Sequence, residues 1–384
     1  MKIGFIFIAT TLLGLIAISS AIIFKTTVSL GIIKTPLMRQ IVGWALTLLP
    51  VVLIATMVIG NFTYSKINSL FYVISVTWLP TLLYIFLATA LVYIVKWVSL
   101  ASGHSHDTTT LRTLMLGGIV IAAGFVTYGI VNATMPRVVN YTIDAPALSP
   151  MWSGKNIILI SDTHLGVVRS QSFMKKVVGQ VNALQPDLVL IAGDIIDGPV
   201  FNYARGLSPL ANIKSTYGVV YTPGNHEGYN REPEKFYPAV KPLVTTLIDS
   251  AKEINGTTIV GLDYKIESKE AAQARFRSIL GTTNSEKTQP TIALLHDPKN
   301  AKALMESGVS LIVSGHTHCG QFFPINLVVK SIYKEFTYGV NTLDEKDSSG
   351  NSITSTAITT CGVGTAMSPL RLGTNPEIVV IHVK

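Results

Sequence analysis

The sequence predicts an α/β domain built as a two-sheet sandwich and preceded by four membrane-spanning helices. Three observations lead there. Long apolar segments crowd the first third of the chain, and short β-rich runs ending in Gly, Asp, Asn or His fill much of the rest. The last strand-like segments, "SITSTAITTCGVG" and "EIVVIHVK", follow one another without an intervening helix, which suits a mixed two-sheet arrangement. Of the 384 residues, 48% are hydrophobic and 14% charged, a balance expected of membrane segments rather than of a soluble core alone.

Residues 3–24, 41–62, 70–95 and 114–131 each reach or approach the ~20 apolar residues that span a bilayer. The first lies between Lys2 and Lys25 with no charge inside. It is long for a signal-peptide core and shows no clear cleavage site, so it reads as an anchor. The third contains Pro80, which a membrane helix tolerates. The fourth, rich in glycine, is the shortest. These spans predict a transmembrane region over residues 1–137 and a separate folded domain over 138–384.

The formal charge of +8 is unevenly placed. Residues 1–137 hold eight Lys or Arg against one acid, Asp107, while the 22 basic and 21 acidic residues beyond nearly cancel. A basic excess in short loops beside apolar segments is a topology signal, not a phosphate-binding face, so nucleic-acid binding is not expected. Lys25, Lys34, Arg39, Lys96 and Arg112 flank one side and Lys2, Lys66 and Arg137 the other. The positive-inside rule then puts the first and third loops in the cytoplasm and the domain over 138–384 outside it, in a multi-pass protein of the cell membrane.

Beyond residue 137 the β-rich runs are "NIILISDTHLG", "DLVLIAGDIIDG", "GVVYTPGNHEG", "TIALLHDPKN" and "VSLIVSGHTHCG". Apolar runs of this length indicate strands covered on both faces. Residues 171–184 and 298–307 are helix-compatible stretches between them. Each run ends in polar residues: Asp162 and His164; Asp194 and Asp197; Asn225 and His226; His296; His316 and His318. Loops at one end of a sheet are where α/β folds build their sites. Any one of these residues is more simply a satisfied loop histidine or a helix cap; all five positions together are poorly explained that way.

Carboxylate, imidazole and amide together suit Mn, Fe or Zn better than Ca or Mg. They are too many for one tetrahedral zinc. Two divalent ions sharing one carboxylate would use them all, and such a pair can activate a water and clamp the oxygens of an in-line phosphoryl displacement.

The motifs D-x-H, G-D-x-x-D, G-N-H-E, a lone H and G-H-x-H occur in order as "SDTH", "GDIID", "GNHE", "LLHD" and "GHTH". The segment from about 154 to 384 thereby resembles the calcineurin-like metallophosphoesterases. "SDTHLG", the closing "GVGTAMSPLRLGTNPEIVVI" and the apolar N-terminal part look like their bacterial membrane-tethered, phosphodiesterase-like branch. The resemblance implies a two-sheet αββα sandwich and a hydrolase acting on phosphate esters. It places Asp162, His164 and His318 on one ion, Asn225, His296 and His316 on a second, and Asp194 between them. An extended H-T-H could send its two imidazoles to different ions. His226 is cast as general acid and Asp197 as the carboxylate that orients it. Hydroxide bridging the ions would attack a phosphodiester, diphosphate or phosphomonoester of a small-molecule or lipid substrate in the envelope.

Cys319 stands where related sequences usually carry glycine. It reads as a buried thiol, a disulfide partner of Cys361 or a soft metal ligand. Arg371 and Arg169 could each neutralise a substrate phosphate; Arg371 is expected at a substrate phosphate or as a surface or ion-paired side chain, and Arg169 reads more simply as the latter. Tyr229, Phe236 and Tyr237 read as an apolar lip or as core. A different class, a non-catalytic metal-binding scaffold or sensor of the same fold at the membrane, predicts missing ligands. Oligomeric state has no signal in the sequence.

Overall fold

The structure, a computed structural model, describes residues 2–60, 65–104, 107–197, 202–230, 232–282, 289–346 and 352–384. The chain divides into two compact units, Met1–Ile130 with Met367–Pro369 and Val131–Ala366 with Leu370–Lys384.

The first unit is helical: α1 (Lys2–Ser29), α2 (Pro36–Gly60), α3 (Lys66–Ala101) and α4 (Thr108–Asn132). Among the described residues Pro36–Ile59, Lys66–Ala101 and Thr108–Asn132 are long and apolar enough to cross a membrane, with a shorter apolar stretch at Leu13–Ser29. Most of the helix ends run beyond the predicted apolar stretches. Thr26 and Thr27 show why, because their hydroxyls donate to the carbonyls of Ile22 and Ile23 at 2.8 and 2.9 Å. A polar side chain satisfied within its own helix does not end it. Pro50 and Pro80 both lie inside helices.

Among the described residues the second unit holds twelve strands: β1 (Arg137–Ile143), β2 (Ile157–Ile160), β3 (Leu188–Ala192), β4 (Val219–Thr222), β5 (Thr245–Thr246), β6 (Ser250–Ile254), β7 (Thr257–Gly261), β8 (Thr291–Leu294), β9 (Leu311–Ser314), β10 (Gly339–Lys346), β11 (Ser352–Thr359) and β12 (Glu377–Val383). They form two six-stranded sheets, ordered β1-β12-β2-β3-β4-β5 and β10-β11-β9-β8-β7-β6. Both are mixed: β2, β3 and β4 run parallel beside antiparallel β12, and β7, β8, β9 and β11 run parallel between antiparallel β6 and β10.

The predicted sandwich follows from alternation along each strand. Ile157 and Leu159 of β2 pack inward with Leu188 and Leu190 against Ile292, Leu294, Leu311 and Val313 of the second sheet. Ile158 and Ile160 face outward under the helix Gln171–Ala183, whose Met174, Val177, Val178 and Val181 cover them. On the other sheet Ala293 and Ile312 lie beneath Phe276 and Leu304 of the helices Lys269–Gly281 and Ala301–Met305. The layers are therefore αββα. The predicted helix over 298–307 is shorter, a 3-10 turn at Pro298–Asn300 leading into Ala301–Met305. Parallel β2, β3 and β4 in one sheet and β8 and β9 in the other bring five carboxyl-terminal ends to one edge of the sandwich.

Candidate metal centre

At that edge the backbone turns sharply. Asp162, His164, Asp194, His316 and His318 all have φ between 47° and 69°, the left-handed region that β-carbon sterics disfavour. The H-T-H segment is thus not extended as expected. Thr317, at φ −70° and ψ −22°, sits between two left-handed histidines, and this alternation sends the two imidazoles apart. Gly315 is required just before them, because a Cβ there would overlap Ser161 Oγ and Asp162 Oδ2. Gly224 is required for the same reason against Asp194 Oδ1.

The side chains then meet in two groups. Asp162 Oδ1 is 3.4 Å from His318 Nε2 and 3.8 Å from His164 Nε2, and those two nitrogens are 2.9 Å apart. His296 Nε2 lies 3.3 Å from His316 Nδ1. Asp194 Oδ2 belongs to both groups, at 3.1 Å from His296 Nε2 and 3.8 Å from His164 Nε2. In each of the sets Asp162–His164–His318 and Asp194–His296–His316 one donor atom per residue lies within 4.8 Å of the others. Asn225 opens the short helix Asn225–Tyr229, and its Oδ1 is buried without a hydrogen-bond partner, as is Nδ1 of His164.

His226 lies within the same 4.8 Å reach of His164 and Asp194, its side chain about a quarter exposed and its ring 4.5 Å from that of His164. Its Nδ1 faces Asp197 Oδ1 at 3.1 Å, and its backbone N–H donates to Asp194 Oδ1 at 2.8 Å. Burial lowers the imidazole's pKa, but the Asp197 hydrogen bond and the Asp194 and Asp197 charges outweigh it and push it up to about 9. Burial likewise works against His296, which Asp194 raises to about 10. Burial alone would raise the carboxyl of Asp162, yet His318, His164 and His296 hold it well below the usual carboxylate range. His316 and His318 are lowered, first by burial, and so present neutral nitrogens. Buried imidazole nitrogens facing one another at 2.9 Å, with the Asp162 and Asp194 carboxylates beside them, need a shared proton or cation. The donor set fits divalent ions of the Mn, Fe and Zn kind.

Several supporting residues were not foreseen. Glu227, buried, accepts backbone N–H groups of Gly224, Asp194 and Ile196 at 2.7, 2.9 and 3.1 Å, tying the second motif to the third. Gln321 Nε2 donates to Ala366 O and its Oε1 accepts Ala366 N–H, holding the closing loop. Glu377 accepts Thr360 Oγ1 and Cys361 N. Only the E of "GNHE" and the Q after "GHTHCG" hinted at them.

Arg371 corrects an expectation. It is fully buried. Its guanidinium donates to the carbonyls of Cys361, Gly364 and His318 at 2.6, 2.7 and 3.0 Å, and Nη2 lies 3.3 Å from His318 Nδ1. Arg169, also buried, donates to Ala133 O and Thr365 Oγ1 rather than lying on the surface. Cys319 and Cys361 form a disulfide, which rules out the free thiol and the thiolate ligand. Of the aromatic residues Phe236 is core, while Tyr229 is 70% exposed with its ring 6.1 Å from His226.

Residues 155–320, which contain every one of these donors, match the calcineurin-like phosphoesterase family. The second unit carries a calcineurin-like phosphoesterase domain. An uncharacterised metallophosphoesterase from Helicobacter pylori is 36% identical to this chain over 184 residues, covering 45% of this chain and 47% of its own. The chain thus spans about half the length of the Helicobacter pylori relatives it matches. One from Campylobacter jejuni is 29% identical over 84% of this chain and 82% of its own. A zebrafish protein described as a transmembrane protein with a metallophosphoesterase domain is 28% identical over 69% of this chain and 62% of its own.

Proposed function

We propose that the chain is a membrane-anchored metallophosphoesterase that binds two divalent ions (Mn, Fe or Zn) and hydrolyses a phosphodiester, diphosphate or phosphomonoester of a lipid-linked or envelope substrate. One observation carries the reading: a single oxygen, Asp194 Oδ2, stands between the His164 and His296 imidazoles, each in its own group of donors. Asp162, His164 and His318 would hold one ion, Asn225, His296 and His316 the other, with Asp194 between. Such a pair supplies an activated water and neutralises charge developing on phosphorus.

The chain's own residues do the rest. His226 keeps Nδ1 on Asp197, which leaves Nε2 to carry the proton that the departing oxygen needs. Asp194 fixes the His226 backbone through Oδ1, so acid and donor groups move together. Exposed Tyr229 offers an apolar surface beside the acid. The disulfide supports an extracytoplasmic site, since such bonds persist in oxidising compartments. Four apolar helices and the named transmembrane relative support the anchor.

The test is purified full-length chain assayed on a chromogenic phosphodiester and monoester. Two equivalents of a transition ion, with hydrolysis lost to chelator and restored by Mn, support the reading. Less than one equivalent after reconstitution, with neither ester cleaved, ends it and favours a scaffold.

A further inference from the structure

The helix Ile325–Tyr333, "INLVVKSIY", leaves the loop that carries His316 and His318. Nothing in it is buried, although most of it is apolar. Phe322, Asn326, Val329 and Tyr333, spaced as one helical stripe, are half-buried against the domain. The other side is apolar too: Phe323, Ile325, Leu327, Val328 and Ile332 are each 40–64% exposed, with Lys330 and Lys334 beside them. Water is a poor partner for five clustered large apolar side chains.

A second observation says what covers them. Asn132, the last residue of α4 and part of the second unit, donates through Nδ2 to Arg371 O at 3.2 Å and Thr374 O at 3.0 Å. Leu372, next to Arg371, pairs with the start of the helix: Leu372 N donates to Gln321 O and Phe323 N to Leu372 O. Two hydrogen bonds and one peptide step therefore separate the end of α4 from Phe323, a path of roughly 15 Å at most. α4 is long and apolar enough to cross a membrane. A helix starting that close to the end of a span lies in or beside the headgroup layer, where an apolar face with flanking lysines is stable. Met135, just past α4, is exposed as well.

We infer that Ile325–Tyr333 is an interfacial helix, seated by Ile325, Val328 and Ile332 in the surface of the bilayer that anchors the chain. At its far end the Tyr333 ring lies 6.0 Å from that of His316, so the seated helix brings the metal centre to the membrane surface. Resting on the phosphoesterase reading, the substrate class this selects is an amphiphilic phosphoester taken from the lipid surface.

The test uses full-length protein in lipid nanodiscs, labelled with an environment-sensitive fluorophore at Val328→Cys or Ile332→Cys. The native cysteines are paired and take no label. Docking predicts quenching of both labels by brominated acyl chains. Unquenched labels overturn it, as do unquenched labels that crosslink between copies, which would assign the face to a second chain. Val328→Asp with Ile332→Asp should cut hydrolysis of bilayer-embedded hexadecyl para-nitrophenyl phosphate about tenfold and leave water-soluble bis(para-nitrophenyl) phosphate unchanged. Equal loss on both substrates overturns the selection of an amphiphile. Quenching without hydrolysis of either ester supports docking and rejects the phosphoesterase reading instead.

Discussion

Replacing Arg371 separates two roles that a sequence cannot tell apart. If the side chain grips a substrate phosphate, its loss raises KM and leaves stability alone. The structure makes it an internal tie. Its guanidinium satisfies the carbonyls of Cys361, Gly364 and His318, and burial lowers its pKa only to about 10, so it stays charged near neutrality. Arg371→Met keeps much of the length and removes every donor. The buried carbonyls of Cys361 and Gly364 then lose their donor, each at about 1–3 kcal/mol, while His318 O keeps the Gln321 N–H; a net loss of about 2–4 kcal/mol follows. For a domain of this size that is an apparent Tm lower by about 10 °C. Arg371→Lys keeps the charge but not the fork and should fall about halfway. Because Nη2 also faces His318 Nδ1, both variants should bind Mn or Zn more weakly. The assay is thermal unfolding of full-length protein followed by intrinsic fluorescence, with metal titration alongside. Unchanged Tm and metal affinity with a raised KM would refute the reasoning and restore the substrate-binding role.

Three further substitutions probe the centre and its frame. His226→Asn should lower kcat by about 10²–10⁴ while bound metal, measured by elemental analysis, stays constant; loss of metal would make His226 a ligand. Asp197→Asn should have a smaller effect in the same direction, since it acts only through His226. Glu227→Gln turns an acceptor of three backbone N–H groups into an amide that must point donors at one of them, at about 2–3 kcal/mol, read as a lower denaturant midpoint. Reducing Cys319–Cys361, partners 42 residues apart, should cost about 4 kcal/mol by loop-closure entropy; two titratable thiols per unreduced native chain would deny the bond.

The strand ends were legible because each group of candidate donors follows a strand of four or five buried, mostly apolar residues. Leu188–Ala192 before Asp194 and Leu311–Ser314 before His316 show the pattern. An abrupt change from buried aliphatic to polar is a local signal. The span centres were legible for the same reason. Glu227 was not, because its partners are backbone amides of a loop some thirty residues away, and backbone amides leave no trace in composition. Arg371 was ambiguous on similar grounds: guanidinium chemistry suits a phosphate and a cluster of carbonyls equally, and burial is not written in the sequence. The cysteine pairing needed the meeting of the loops after β9 and β11, neighbours in the sheet but distant in the chain.

Left-handed backbone at five donors is costly, of order 1–2 kcal/mol each, and the sum rivals the net stability of a domain. It persists because the donor loops are bonded to one another. Asp162 N donates to Gly193 O, His164 N to Asp194 O, and Gly364 N to Asp162 O, while the Asp162 carboxylate accepts His316 N. Asp162, His164, Asp194 and His316 are each bonded to another motif, and His318 is held through its carbonyl by the Arg371 guanidinium. Those bonds are anchored in turn by β2, β3 and β9, whose residues are buried throughout. Relaxing one donor would break contacts in two others, so the strain is over-determined rather than tolerated. The donors are therefore placed by the sandwich and not by what they bind, a preorganised arrangement in which the protein meets the electrostatic cost of crowding imidazoles and carboxylates in advance.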